Sequence, residues 1–319
     1  MQSLRFADPQ TVTRYPLEIS RTADWRPVDD DLWAFSVDIG RLPKGEMLAP
    51  SLSLLGAPEH RFIFSLEADG ATYELAPVPP AATDKDRRGK ADGGKRVRTA
   101  IDCFHMEKRV RHARLHCQLQ TPVPPRRYLL TLSIRPTEID ISAPATLARQ
   151  MAKPTSAISQ MLQNPRIAAR ACSPVATAMV IAAHRAETGT GIPVEQVIAD
   201  CHDPVTGMYG LWPLAVRAAA SANLIGAVEL FSDWSPALQC LEAGLPLVAS
   251  IRYGDGELAD APMRSTAGHL VVVTGVDGDS VLVNDPAAPY HGVVSRHYPL
   301  EAFSRAWFRH RGAVYILCP

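Results

Sequence analysis

Nowhere in this sequence do eighteen apolar residues run together, so no segment is built to cross a bilayer as a helix. The first eight residues, Met1-Gln2-Ser3-Leu4-Arg5-Phe6-Ala7-Asp8, carry one arginine and no apolar h-region behind it, which predicts a soluble, cytoplasmic chain not exported by the general route. An excess of charge is also missing. Lysine plus arginine number 33 and aspartate plus glutamate number 33, so no global field draws the chain to nucleic acid or to a membrane surface. Paired cysteine spacing is absent too: Cys103, Cys117, Cys172, Cys201, Cys240 and Cys318 are scattered, a poor match to a disulfide framework or a zinc site. Cys103 and Cys117 are the two that would pair across neighbouring strands if the protein were exported by another route. Asp200-Cys201-His202-Asp203-Pro204 mixes soft and hard ligands, but adjacent residues rarely share a metal, and it reads as a helix end followed by a turn. No metal and no cofactor is expected.

What is present is an ordinary globular composition, 46% hydrophobic and 21% charged over 319 residues, long enough for two domains. Up to about residue 140 the pattern alternates with period two between proline and glycine breaks. Trp33, Phe35, Val37 and Ile39 share a face, as do Phe62, Phe64 and Leu66, and as do Ala113, Leu115, Cys117 and Leu119. Tyr128, Leu130, Leu132 and Ile134 alternate with Thr131, Ser133 and Arg135. Strands at this spacing without helices predict an antiparallel, jelly-roll-like β-sandwich over residues 1–141. Within it, residues 84–96 have neither periodicity nor hydrophobicity and read as a solvated basic hairpin loop. From residue 142 alanine-rich helical stretches appear at 147–151, 174–187, 194–201, 213–222 and 236–243, several opening with proline. Strands follow at 247–252, 269–276, 280–284, 292–298 and 313–317. Helices first and strands second predict an α+β domain over residues 142–319.

Cys172 opens the run Cys172-Ser173-Pro174-Val175-Ala176-Thr177-Ala178-Met179-Val180, placing a thiol at a helix start, where unpaired backbone N–H groups favour thiolate. Downstream, Gly268-His269-Leu270-Val271-Val272-Val273 heads one strand and Asn284-Asp285-Pro286 ends the next. An imidazolium beside a helix-start thiolate gives a nucleophile that works at neutral pH, and a carboxylate on the second ring nitrogen holds the tautomer. The spacing from Val276 to Asp285 suits a hairpin that brings Asp285 alongside His269. A side-chain amide for the oxyanion is available in Gln160 or Gln163. His291 and His297 read as solvent-facing, and Phe303 with Trp307 as core. The glycine-bearing loop 253–264 ahead of His269 reads as a flap.

Four segments in order, Ile158-Ser159-Gln160-Met161, Ala171-Cys172-Ser173-Pro174, Ala267-Gly268-His269-Leu270-Val271-Val272-Val273-Thr274-Gly275 and Val283-Asn284-Asp285-Pro286, resemble the papain-like C39-like cysteine peptidases, bacterial relatives of the peptidase domain in bacteriocin exporters. The resemblance spans roughly residues 154–317, with residues 298–307 similar to the family's closing helix. It implies Cys172 as nucleophile, His269 as general base and then acid, Asp285 as the group orienting the imidazole, and Gln160 as an oxyanion donor beside the Cys172 N–H. Ser173 stands where the family commonly has glycine, and a side chain there is expected to narrow the cleft or alter the oxyanion pocket. The chemistry implied is amide hydrolysis through a thioester, on a peptide or a small amide. Two other readings stay open. The same triad serves an acyltransferase or transglutaminase-like enzyme if an amine replaces water, and a papain-like scaffold without catalysis would leave a binding protein whose β-sandwich takes a polymer such as glycan, or a protein.

Overall fold

The structure is a computed structural model that describes every residue except 1, 9, 58, 82–95 and 101. The expected basic loop at 84–96 therefore falls, up to residue 95, outside the described residues.

Alternating side chains in the first half form ten strands among the described residues: β1 (Gln2–Ala7), β2 (Arg26–Asp29), β3 (Leu32–Leu42), β4 (Glu46–Leu54), β5 (Arg61–Ala68), β6 (Ala71–Glu74), β7 (Val97–Ala100), β8 (Cys103–Met106), β9 (Val110–Gln120) and β10 (Tyr128–Pro136). They pair antiparallel into two five-stranded sheets, ordered β1-β10-β4-β8-β7 and β2-β3-β9-β5-β6. One apolar cluster joins the sheets, with Leu48, Phe104, Leu130 and Leu132 from the first and Phe35, Phe62, Phe64, Leu115 and Cys117 from the second. This is the burial that period-two alternation demands. Cys103 and Cys117 sit on different sheets, β8 and β9, and both are free thiols, so the expectation that they lie on neighbouring strands is corrected.

The second half is built on β11 (Leu147–Met151), α1 (Cys172–Ala183), α2 (Arg185–Thr188), α3 (Val194–Asp200), α4 (Trp212–Ser221), β12 (Ile225–Leu230), α5 (Ser235–Glu242), β13 (Leu247–Tyr253), β14 (Thr266–Gly278), β15 (Ser280–Asn284), β16 (Ser295–Pro299), α6 (Leu300–Phe308) and β17 (Ala313–Cys318). Its seven-stranded antiparallel sheet runs β12-β17-β13-β14-β15-β16, and β11 pairs with β14 beyond the stretch that β13 occupies. Helices α1, α3 and α4 cover one face, through Val175, Met179, Trp212, Val248, Val272 and Tyr315. Helices α5 and α6 cover the other, through Leu241, Phe303, Trp307, Val271 and Val314. Among the described residues no helix is long and apolar enough to cross a membrane.

Three local expectations are overturned. Leu147–Met151 is a strand, although leucine, alanine, arginine, glutamine and methionine favour helix. The free edge of β14 decides it, because Gly275 admits the incoming chain: a Cβ there would lie 2.5 Å from Met151 Sδ and 2.8 Å from the Gln150 carbonyl. Ile225–Leu230 adds a strand between α4 and α5 where none was expected, pairing with the distant β17. The stretch from residue 292 begins as a 3₁₀ turn, His291–Val293, and becomes strand only at Ser295.

The polar residues that alternate along β10 are buried too, because the second half packs on that face. The outer edge of β12 carries backbone groups that no strand among the described residues takes, and hydroxyls from the first half meet them. Gly226 N–H donates to Ser53 Oγ and Val228 N–H to Ser51 Oγ, both at 3.1 Å, while Thr131 Oγ1 donates to the Val228 carbonyl at 3.2 Å. A sheet edge is thus closed by side chains rather than by another strand. Beside it, Glu229 accepts from Arg5 Nε at 2.6 Å, from the Tyr15 hydroxyl at 2.9 Å and from Ser133 Oγ at 2.6 Å. Arg135 donates to the carbonyls of Phe231, Phe308 and His310. Gly312, at φ +60°, lets the chain pass so close to this guanidinium that a Cβ would sit 2.2 Å from its Nη1.

Candidate active site

The chain enters α1 directly at Cys172, with Ala171 as a cap that offers no side-chain hydrogen bond. The first N–H groups of the helix therefore stay free to address a negative charge. Residues Ser173 to Ile181 are buried, so α1 is anchored on nearly all sides and holds Cys172 at its end, partly accessible. β14 runs beside it and carries His269, and the β14–β15 hairpin returns the chain so that Asn284 pairs with Val272 and Asp285 follows. This hairpin is the predicted device for joining the two side chains.

His269 Nε2 lies 2.7 Å from Asp285 Oδ1, with both residues buried. That leaves Nδ1 as the nitrogen available to Cys172, with which His269 is electrostatically coupled. Asp285 is fully held: Oδ1 also accepts from Ala287 N–H at 2.9 Å, and Oδ2 accepts from the Tyr298 hydroxyl at 2.8 Å. Burial acts against the charged form of each group, and the neighbours outweigh it. Burial pulls His269 down, but the charge and hydrogen bond of Asp285, then the contact with Cys172, push it up to about 10. Burial raises the Cys172 thiol, but the hydrogen bond and charge of His269 and the N–H groups of Leu270 and Ser173 bring it below its usual value. Asp285 is raised by burial and lowered further by His269, Tyr298 and Ala287, ending below the ordinary carboxylate range. Both shifts run in the direction of a thiolate–imidazolium pair.

Gln160 sits in the 3₁₀ turn Gln160–Leu162 and is 3% exposed. Its backbone N–H donates to the Pro286 carbonyl and its Nε2 to the Ala168 carbonyl, each at 2.8 Å. It thereby ties the segment after Asp285 to the 3₁₀ turn Ala168–Arg170 that leads into Cys172. One Nε2 proton remains for another acceptor, and Oε1 is buried without a partner among the described residues. Gln163, the other candidate, turns its amide back onto the Ser159 carbonyl at 3.3 Å.

Ser173 does not narrow the site. It is fully buried beneath Cys172, its hydroxyl 2.9 Å from that of Tyr315, so the expected effect on the cleft is corrected: the side chain points into the core. Residues 298–307 are not all helix, since Tyr298 and Pro299 belong to β16 and α6 starts at Leu300. Sequence reasoning missed Tyr298 as a partner of Asp285, and no local pattern marks it. His291 is exposed, as expected, and the contact that was missed is its Nδ1 accepting from the Ser159 N–H at 3.0 Å beside Gln160. His297 is exposed on β16, as expected. In loop 253–264, Arg264 pairs with Asp255, and Glu257 accepts from the Gly254 N–H. Of the Asp200–Pro204 cluster, Asp203 receives Val205 N–H and the Thr206 hydroxyl, while the His202 ring lies against Tyr209. Among the described residues no three or more His, Cys, Asp and Glu side chains converge as a metal site.

Comparison with known proteins adds the lineage. No curated protein matches this sequence. Among solved structures, a double glycine motif protease from an AMS/PCAT transporter, in complex with the leader peptide, is 22% identical with a TM-score of 0.37, covering 56% of this chain and 99% of its own. A Bacillus anthracis protein named as a C39-like peptidase is 14% identical with a TM-score of 0.41, covering 54% of this chain and 98% of its own. The Peptidase_C39 like family matches residues 152–315, just over half the chain and every residue of the cluster around Cys172, and the protein belongs to that family.

Proposed function

We propose that this protein is a cysteine peptidase or amidase that works through a thioester acyl-enzyme, with Cys172 as nucleophile, His269 as acid and base, Asp285 as the orienting carboxylate and Gln160 as an oxyanion donor. The observation that carries the reading is His269, hydrogen-bonded to Asp285 and in electrostatic contact with Cys172, at the uncapped start of a buried helix. In the first half-reaction the Cys172 thiolate forms a C–S bond to the scissile carbonyl, and the oxyanion rests on the Cys172 N–H and the spare Nε2 proton of Gln160. As the C–N bond breaks, His269 gives its Nδ1 proton to the departing amine and the carbonyl re-forms as a thioester. Water then attacks, its proton passes to His269, and the carboxylic acid leaves with restoration of the thiolate. A peptide is the acyl donor that accords with the family.

The reading extends to the whole chain as a β-sandwich domain over residues 1–141 and a papain-like domain over residues 142–319. What supports the division is that one apolar cluster is drawn almost wholly from the two sheets of the first half and two mostly from the second half, while apolar residues such as Met47, Leu129 and Leu214, and polar groups of Glu229, Arg135 and β12, join the halves. One sheet of the sandwich is occupied by the second half, so a polymer or protein ligand would use the other, whose outer face carries Asp38, Arg114, Ser36 and His116. The test is turnover of a peptide library with native protein and with Cys172→Ser. Turnover and labelling by iodoacetamide should vanish in the variant with the fold intact, and turnover that survives would refute the assignment. Product analysis with added amine separates hydrolysis from acyl transfer.

A further inference from the structure

Asp285 has three donors, and two of them are explained: His269 is the group to be oriented, and Ala287 N–H belongs to the turn that follows. The third, the Tyr298 hydroxyl at 2.8 Å from Oδ2, comes from a separate strand. Tyr298 is held there by three elements. β16 pairs it with Val281 of β15, its ring stacks on Phe303 of α6 with centroids 6.0 Å apart, and it is 0% exposed. Burial, then the charge of Asp285, keeps the phenol protonated far above neutral pH, so it is a permanent donor. The titratable and charged groups around it are Asp285, Tyr253 of β13 and Arg296 on its own strand, with His269 of β14 beyond the carboxylate.

Resting on the cysteine peptidase reading above, we propose that Tyr298 is a positioning residue that tempers the basicity of Asp285 and thereby sets how readily His269 releases its proton. The physics is a difference between two states. When His269 is neutral, Asp285 carries a full negative charge in a buried setting, and the bond from Tyr298 is at its strongest. When His269 is protonated, part of that charge is already neutralised and the same bond matters less. Tyr298 therefore favours the neutral imidazole. With the imidazolium already stabilised to about 10, an acid held any harder would be slow to hand its Nδ1 proton to a leaving amine. A bare carboxylate would hold it harder.

The experiment is the pH profile of iodoacetamide alkylation at Cys172, read by peptide mass spectrometry in native protein and in Tyr298→Phe, with amide turnover measured alongside. Native protein should show a thiolate at neutral pH and an alkaline limb near the His269 value. In Tyr298→Phe the alkaline limb should move up by roughly one pH unit, and acylation should slow by about tenfold while KM stays within a factor of two. Should Tyr298→Phe fold poorly, site-specific 3-fluorotyrosine at position 298 keeps the hydroxyl and strengthens it as a donor, and the limb should then move down. A loss of thermal stability with superimposable pH profiles would overturn the proposal and leave the peptidase reading standing. An ordinary, slow thiol in native protein would instead overturn the peptidase reading itself, and this proposal with it.

Discussion

Replacing Asp285 by asparagine removes one charge and almost no volume from the site. In the native protein His269 is held at about 10 against an ordinary 6.5, an elevation of about 3.5 pH units that corresponds to about 5 kcal/mol. Burial works against that elevation, and Asp285 is the foremost group working for it. Without the carboxylate, burial governs, and His269 should fall to or below its ordinary value. Cys172 then loses the imidazolium that brought its thiol down, and burial returns it to the ordinary range or above. A thiol near 9 is about 1% thiolate at neutral pH, so alkylation by iodoacetamide at pH 7 should drop, toward a limit of about 10²-fold for a fully ionised native thiol. The asparagine still accepts from Tyr298 and presents a similar outline, so the melting transition should remain cooperative. The linked stability has a definite window. The raised imidazole contributes stability fully present below 6.5 and lost as pH rises through about 10, while the lowered thiol contributes above 9.0 and loses it as pH falls through its depressed value. The native protein should therefore lose this contribution on the alkaline side near 10, and Asp285→Asn should show no such loss. An alkylation profile that moves by less than one pH unit in the variant would refute the argument that Asp285 sustains the ion pair.

Two further outcomes follow from other parts of the structure. Gln160→Ala should lower kcat by about 10²-fold with little change in KM, because the amide meets the oxyanion only after attack; a purely structural glutamine would instead lower the melting temperature and leave kcat of the folded fraction intact. Glu229→Ala strands the Arg5 guanidinium, 12% exposed at its side chain, and deprives Tyr15 and Ser133 of their acceptor, so urea unfolding should report a loss of about 3–5 kcal/mol. A loss under 1 kcal/mol would mean that the two halves do not depend on this contact.

Much of the site was legible in the residues alone. A cysteine opening an apolar helix, a histidine heading an apolar strand and an aspartate just past the next strand need only helix periodicity, strand alternation and one hairpin to converge, and all three are local properties. The long alternations of β5 and β9 likewise carried their own burial pattern, since one face must meet an apolar core. Where the reading went astray, a distant partner overrode local preference. Leu147–Met151 has helix-forming side chains and becomes a strand because β14 has a vacant edge and Gly275 gives way to it. Ile225–Leu230 takes its strand from β17, nearly ninety residues on in sequence. The alternation along β10 does not say what covers its second face, and Thr131, Ser133 and Arg135 are buried because the second half lies there. Ser173 carries no mark of direction in its name, and only the packing of Tyr315 turns it inward.

The sequence by itself determined which side chains could do chemistry and the order in which they occur, because those depend on covalent identity and on short-range periodicity. The tertiary structure alone decided what each charge experiences. That His269 is raised, that the Tyr298 hydroxyl turns onto Asp285 from the neighbouring strand, and that hydroxyls from one half close the sheet edge of the other are consequences of burial and of side-chain contacts made only in the folded chain, and no local pattern encodes them.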